Sequence, residues 1–72
     1  MTGAAELRIA GRTGVFLAET CRVEGAVVHV RGRWRYRVGA NHADFRYGEL
    51  VSYSWPLGRC REIRWAEPER AS

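Results

Sequence analysis

The sequence predicts a small all-β domain of five strands, and three observations lead to that prediction. A chain of 72 residues supports one compact domain, because chains this short bury only about 60% of the surface that they expose when unfolded. Two long runs are rich in β-branched and aromatic residues and lack the three-to-four-residue apolar spacing of an amphipathic helix. The second of these runs also alternates apolar and polar residues, which is the pattern of a half-buried strand.

The first strand is predicted at residues 7–10, and a turn follows it at Gly11-Arg12-Thr13-Gly14. This turn does not match a phosphate-binding loop, because it is short and leads into a strand instead of a helix. The second strand is predicted at Val15–Glu24 and the third at residues 26–38. A tight turn at Glu24-Gly25 joins them, since glycine readily takes a positive φ.

In the third predicted strand the even-numbered residues are mostly apolar and the odd-numbered residues are polar, so the two sets lie on opposite faces. The apolar set is Ala26, Val28, Val30, Trp34, Tyr36 and Val38, and the polar set is His29, Arg31, Arg33, Arg35 and Arg37. We therefore expect Trp34 and Tyr36 in the core and the arginines in solvent. At about 3.3 Å per residue the run would exceed about 40 Å, so it must bend, and Gly32 is the expected bend point.

The turn at Glu24-Gly25 also sets a register for the hairpin. It pairs Val23 with Ala26, Cys21 with Val28, Leu17 with Gly32, and Val15 with Trp34. Apolar residues then face apolar residues across the two strands. Glu19 is the exception, because it would lie opposite Val30, and a β-bulge or an edge position would relieve the mismatch.

Residues 39–48 are predicted to form a loop, followed by a fourth strand at residues 49–55 and a last strand at residues 59–65. Pro56 and Gly58 separate these two strands, because proline cannot donate a ladder hydrogen bond and glycine favours a turn. Trp55 either closes the core or serves as an exposed hydrophobic contact for a partner. We favour the first interpretation, because so small a core has little else to close it.

Five short strands, one of them bent at a glycine, with a turn before the last strand, resemble the small barrels of the SH3-like and Sm-like type. The resemblance covers residues 7–65 and is one of layout. It implies a small five-stranded barrel with a long bent hairpin, and because it carries no family motif it transfers no functional residue. The chain is expected to be a single domain over residues 1–72, with a core at about 7–65 and loose termini.

The net charge of +4 is concentrated in one segment of the chain. Between Arg31 and Arg46 there are five arginines and one aspartate, whereas the remaining residues hold seven arginines and seven glutamates. An excess of this kind suggests an acidic partner. All 12 basic residues are arginine and none is lysine. We attribute that usage to the coding bias of a GC-rich genome in preference to selection for guanidinium groups.

The alternating arginines define a candidate nucleic-acid surface. Side chains at every second residue of a strand are about 6.5 to 7 Å apart, a spacing that suits the phosphates of an extended strand, and nearby aromatic rings could stack on bases. The predicted nucleic-acid-binding residues are Arg31, Arg33, Arg35, Arg37, Arg46, Phe45 and Tyr47. Two alternatives remain: a solvated face that protects a sheet edge from mispairing, and a contact for an acidic protein.

Trp65 is the candidate protein-interface residue. It ends the last predicted strand next to a polar tail, where an indole is hard to bury fully. The alternative function is therefore a protein-interaction or assembly module that acts through a strand edge and Trp65, including self-association. Such a module would suit an accessory protein of a GC-rich bacterium or its phage.

Neither a metal site nor an active site is expected. The residues of the right type for zinc are Cys21, Cys60, His29 and His42. Their spacing does not match a zinc site, and the hairpin register aims the side chains of Cys21 and His29 to opposite faces. The nearest approach to a catalytic constellation is two short pairs, His42 with Asp44 and Ser52 with Ser54. Such pairs arise often by chance, and a small barrel has little room for a pocket, so we expect no catalytic residue, cofactor or small-molecule substrate.

The cellular compartment is inferred from what the sequence lacks. No apolar stretch is long enough for a signal peptide or for a membrane span, so we expect a cytoplasmic protein without a membrane partner. Two cysteines are too few for a disulfide framework, and we expect both to be reduced thiols.

Overall fold

In the computed structural model, which describes residues 2–39 and 44–66, the chain forms one antiparallel sheet. Its strands are β1 (Thr2–Ile9), β2 (Val15–Glu24), β3 (Val27–Arg37), β4 (Phe45–Tyr47), β5 (Val51–Pro56) and β6 (Cys60–Trp65), with a 3-10 turn at Leu57–Arg59. The all-β prediction is confirmed. The first strand is longer than expected, and β4 lies within the predicted loop at residues 39–48. Residues 40–43 of that loop and the predicted polar tail at 67–72 lie outside the described residues.

The strands follow the order β4-β3-β2-β1-β6, and β5 also pairs with β3. One edge of β3 is covered by β2, and the other edge is shared: β5 pairs with residues 27–32 and β4 with residues 35–37. The prediction of a closed five-stranded barrel is wrong, because the described part of the chain forms an open sheet of six strands. The 3-10 turn carries the chain from the β3 side of the sheet to β1 without pairing β5 with β6.

The hairpin of β2 and β3 forms as predicted, but with a different turn. The turn residues are Gly25 and Ala26, with φ of 60° at Gly25, and Val23 consequently pairs with Val28. The predicted register, which paired Val23 with Ala26, is therefore wrong by two residues. Between the turn and Thr20, this shift of two residues leaves each side chain on its expected face, because successive side chains alternate. Val28 and Val30 are accordingly buried as predicted.

Glu19 forms the β-bulge that its mismatch predicted. Ala18 pairs with Gly32 and Thr20 pairs with Arg31, which leaves Glu19 between them without a partner in the ladder. Its side chain is exposed. A bulge inserts one extra residue into one strand, so the faces of β2 before and after it are reversed.

This reversal decides which residues of β2 enter the core. Phe16 pairs with Trp34, and both are buried on what we call the inner face of the sheet. The prediction that Val15 and Leu17 would occupy these core positions is wrong: both lie on the opposite, outer face. Val15 is nevertheless buried, because long charged side chains of β1 and β6 cover it.

The core is a cluster of small and aliphatic side chains around one phenylalanine and one tryptophan. Its buried members are Ala5, Leu7, Ile9, Phe16, Ala18, Cys21, Val28, Val30 and Trp34. The Phe16 ring packs edge-on against Trp34 and Trp55, at centroid distances of 5.2 and 5.4 Å. Trp55 is half-buried and packs against this cluster, but no closed barrel is formed for it to close. Tyr36, by contrast, is 36% exposed at the end of β3, so the prediction that it lies in the core is wrong.

The backbones of β2 and β3 approach closely at Gly32. A Cβ atom there would overlap the carbonyl oxygen of Leu17 and would lie 2.8 Å from the Cα atom of Ala18. Glycine at this position therefore permits the pairing next to the Glu19 bulge. The expected bend of β3 at Gly32 stays a prediction.

Both cysteines are free thiols on the core side of the sheet. Cys21 is fully buried, whereas Cys60 is half-buried. Burial raises the pKa of the Cys21 thiol, and the neighbouring Cys60 raises this pKa further. Burial also raises the pKa of Cys60. The fold therefore favours the neutral form of each thiol.

A pH-dependent loss of stability follows from the raised pKa of Cys21. A group whose pKa is raised in the folded state stabilises the fold below its unfolded pKa, and this contribution is lost as the pH rises through the folded pKa. We expect the stability advantage of the wild type over Cys21→Ala to shrink as the pH rises above about 8.5, the ordinary pKa of a cysteine thiol. Urea unfolding of both proteins across this range measures it. An advantage that stays constant with pH would contradict the prediction.

Candidate functional site

The four alternating arginines of β3 lie on the outer face of the sheet. Cross-strand partners share a face, so Trp34 lies on the inner face with its partner Phe16. The arginines alternate with Trp34 along β3 and therefore lie on the opposite face. Arg31 and Arg37 are exposed, and Arg33 and Arg35 are half-buried. Together they form a row along β3 with about 6.6 Å between successive positions.

Strand β4 adds two aromatic residues to this row. Tyr47 pairs with Arg35, and Phe45 pairs with Arg37, so both rings lie on the outer face. The guanidinium carbon of Arg35 lies 4.9 Å from the centre of the Phe45 ring, a cation–π contact. Tyr47 is 58% exposed and Phe45 is 39% exposed. Sequence reasoning placed these residues in a loop, and the structure places them in a strand beside the arginines.

The structure does not bring Arg46 to the same surface. Arg46 pairs with Tyr36, and both point away from the face that carries Phe45 and Tyr47. Six of the seven predicted nucleic-acid-binding residues therefore share one surface, which we call the arginine–aromatic face. Its members are Arg31, Arg33, Arg35, Arg37, Phe45 and Tyr47.

On the outer face, carboxylates neutralise the arginines of β1 and β6 more fully than those of the arginine–aromatic face. On β1 and β6, Glu62 pairs with Arg8 at 3.1 Å and with Arg64 at 3.6 Å. Glu6 of β1 reaches Arg35 at 3.7 Å. Over residues 2–39 and 44–66, the other three arginines of the arginine–aromatic face have no carboxylate within 4.0 Å. Positive charge is therefore uncompensated at three of the four arginines of the face, as far as the described residues go.

A second feature of the outer face was not anticipated from the sequence. A groove of about 500 Å³ lies across β2, β3 and β5, and its polar lining is formed by Thr2, Thr20, Arg22, His29, Arg31, Ser52 and Ser54. The sequence did carry one sign of it, because Ser52 and Ser54 alternate with apolar residues in β5. The register that brings them beside Arg31 and His29 was needed to see the groove.

Trp65 is half-buried and packs against the core. It pairs with Ala5 of β1, and its ring passes close to Gly3, where a Cβ atom would lie 3.8 Å from the indole. A cavity of about 330 Å³ beside it is also lined by Leu17 and Arg64. The indole is thus neither fully buried nor freely exposed.

Among the residues that the structure describes, the remaining candidates do not assemble into a catalytic or metal site. His42 lies outside the described residues, and Ser52 and Ser54 line the groove without a carboxylate in its lining. In the described part of the chain, no group of three or more His, Cys, Asp and Glu side chains is placed to hold a metal ion.

Comparison with known proteins does not place the chain in a family. No protein-family model, no curated protein and no solved structure matches it. Within residues 2–39 and 44–66, no helix has the length and apolar character needed to cross a membrane.

Proposed function

We propose that this protein binds single-stranded nucleic acid through the arginine–aromatic face. The observation that carries the proposal is a row of arginines, three of them without a carboxylate within 4.0 Å among the described residues, beside two exposed aromatic rings. Positive side chains that track a phosphate backbone, together with rings that stack on bases, are the elements of non-specific single-strand binding.

The geometry of the face favours a single strand over a duplex. The arginine row lies along one strand of an open sheet, whereas a duplex groove is read by an inserted helix or a two-stranded ribbon. The aromatic rings lie to one side of the row, so bases can stack on them while the phosphates follow β3. Stacking of this kind tolerates any base, since every base has a π-face.

The layout of the sheet supports a relation to small SH3-like or Sm-like folds, and we propose one. The support for this relation is the strand order β6-β1-β2-β3-β5 together with the 3-10 turn before the last strand. The fold class does not determine the partner, so the functional proposal depends on the arginine–aromatic face alone.

The test compares two double variants with the same change in net charge. Arg33→Glu/Arg37→Glu reverses two arginines of the face, and Arg59→Glu/Arg61→Glu reverses two exposed arginines near β6. Fluorescence anisotropy with a labelled 20-nucleotide DNA and RNA strand, across a salt series, measures binding. The face variant is expected to lose at least about 10-fold in affinity and about 1.4 units of salt slope, from two phosphate contacts at about 0.7 each.

The control double variant should keep most of its affinity, because its residues lie outside the face. Equal losses in both variants would show that net charge alone drives binding and would overturn the proposed face. No binding by the wild type at low salt would overturn the nucleic-acid function itself.

A second candidate is assembly through β6. This strand pairs with β1, and among the described residues its other edge has no partner, which leaves backbone groups open to another strand. Exposed charged side chains along β6 oppose such pairing. Light scattering during gel filtration distinguishes the candidates: a stable oligomer that persists at high salt, without oligonucleotide binding, would favour assembly.

A further inference from the structure

The groove on the outer face is a compact array of hydrogen-bond donors. The register places two rows across β2, β3 and β5: Thr20, Arg31 and Ser52 in one row, and Arg22, His29 and Ser54 in the next. Strand spacing is about 4.8 Å and every second residue is about 6.6 Å apart, so these six side chains start from a patch of roughly 7 by 10 Å. We call this array the hydroxyl–arginine groove.

The chemistry of the groove selects an anion. Two guanidinium groups and four serine and threonine hydroxyls line it, and its lining contains no carboxylate. Arg31 has no carboxylate within 4.0 Å in the described part of the chain, and Arg22 makes one long contact of 3.7 Å with Glu24. Both side chains of that ion pair are exposed, so it contributes little to stability. The Arg22 side chain can therefore turn to a ligand.

One internal contact holds part of the array in place. A hydrogen bond of 2.8 Å joins Nδ1 of His29 and Oγ of Ser54, which connects β3 with β5 across the groove. The ring and the hydroxyl are therefore positioned before any ligand arrives. Such preorganisation lowers the entropy lost on binding.

We propose that the hydroxyl–arginine groove binds a phosphate monoester. A monoester carries about −1.5 to −2 charges near neutral pH and three acceptor oxygens, which suits two arginines with several hydroxyl donors better than the single charge of a backbone diester. Arg31 belongs both to the groove and to the arginine–aromatic face. The proposal rests on the proposed function in one respect: the phosphate at the end of a bound strand would lie where the arginine row begins. A free mononucleotide would supply the same group.

The first test uses one 12-nucleotide DNA strand in three forms, with a 5′-phosphate, a 3′-phosphate or hydroxyls at both ends. We expect one of the phosphorylated forms to bind about 10-fold more tightly than the unphosphorylated strand, the effect of one additional charged hydrogen-bonded contact. Arg22→Gln/Ser52→Ala should abolish this difference. Arg61→Gln, which removes an exposed arginine outside the groove, should keep it.

The second test separates the groove from the proposed function. Adenosine 5′-monophosphate and adenosine are titrated separately into the labelled protein, and backbone amide shifts are followed by NMR. Shifts in β2, β3 and β5 around the groove with the monophosphate alone would support the site even if no oligonucleotide binds. Equal affinity for all three strands, together with no specific shift on adding the monophosphate, would overturn the inference while leaving single-strand binding intact.

Discussion

Replacing Gly32 with alanine is expected to lower the free energy of unfolding by about 3 kcal/mol or more. The added Cβ atom would overlap the carbonyl oxygen of Leu17, which belongs to the backbone and cannot move without breaking the pairing of β2 with β3. A domain of this size has a total stability of only about 4 to 11 kcal/mol. Urea unfolding followed by circular dichroism measures the loss.

Gly58→Ala is the matched control for this prediction. Gly58 lies in the 3-10 turn, and a Cβ atom there would meet no heavy atom within 4 Å. Its substitution is expected to change stability by less than about 1 kcal/mol, because glycine-to-alanine changes at unstrained positions mainly affect the unfolded chain. Similar losses in the two variants would mean that the close approach at Gly32 does not decide stability.

Replacing Val28 with aspartate is expected to unfold the domain. Val28 is fully buried in the core between its partners Val23 and Trp55. An aspartate there would place a carboxylate among apolar side chains with no hydrogen-bond donor, at a cost of about 4 kcal/mol or more. We expect loss of the near-ultraviolet circular dichroism signal of the core tryptophans in the absence of denaturant.

Val27→Asp provides the comparison on the opposite face of the same strand. Val27 is 38% exposed and pairs with Glu24 across the hairpin, so the new carboxylate meets water and one like charge. The expected cost is below about 1 kcal/mol. A folded Val28→Asp protein with native stability would contradict the assignment of the inner face.

The alternation of β3 was enough to predict its faces, but not its register. Val28, Val30 and Trp34 are buried and the arginines point outward, as the pattern indicated. A shift of two residues preserves both faces, so hydrophobic pattern alone cannot distinguish a turn at Glu24-Gly25 from one at Gly25-Ala26. The register depends on which two residues form the turn, and the alternation of β3 does not specify them.

The position of the Glu19 bulge and the pairing of β4 could not be predicted from local sequence patterns. Glu19 indicated a bulge, but the exact position of the extra residue decides whether Phe16 or Leu17 faces the core. Strand β4 has three residues, none of them buried, and so carries no hydrophobic signal of its own. Its pairing with the end of β3 is what places Phe45 and Tyr47 with the arginines and turns Arg46 away.

Strands β4 and β5 share one edge of β3, and they contribute differently to the stability of the sheet. Strand β5 brings Tyr53 and Trp55 against the core, whereas β4 pairs with β3 and buries no residue. Detaching β4 therefore exposes almost no apolar core, and its local opening requires far less free energy than global unfolding. Amide hydrogens of β4 should exchange with solvent much faster than those of β5. In the proposed complex with a single strand, Phe45 and Tyr47 would therefore lie on a segment that can adjust to bases of different size, whereas the arginines lie on a strand paired along both edges.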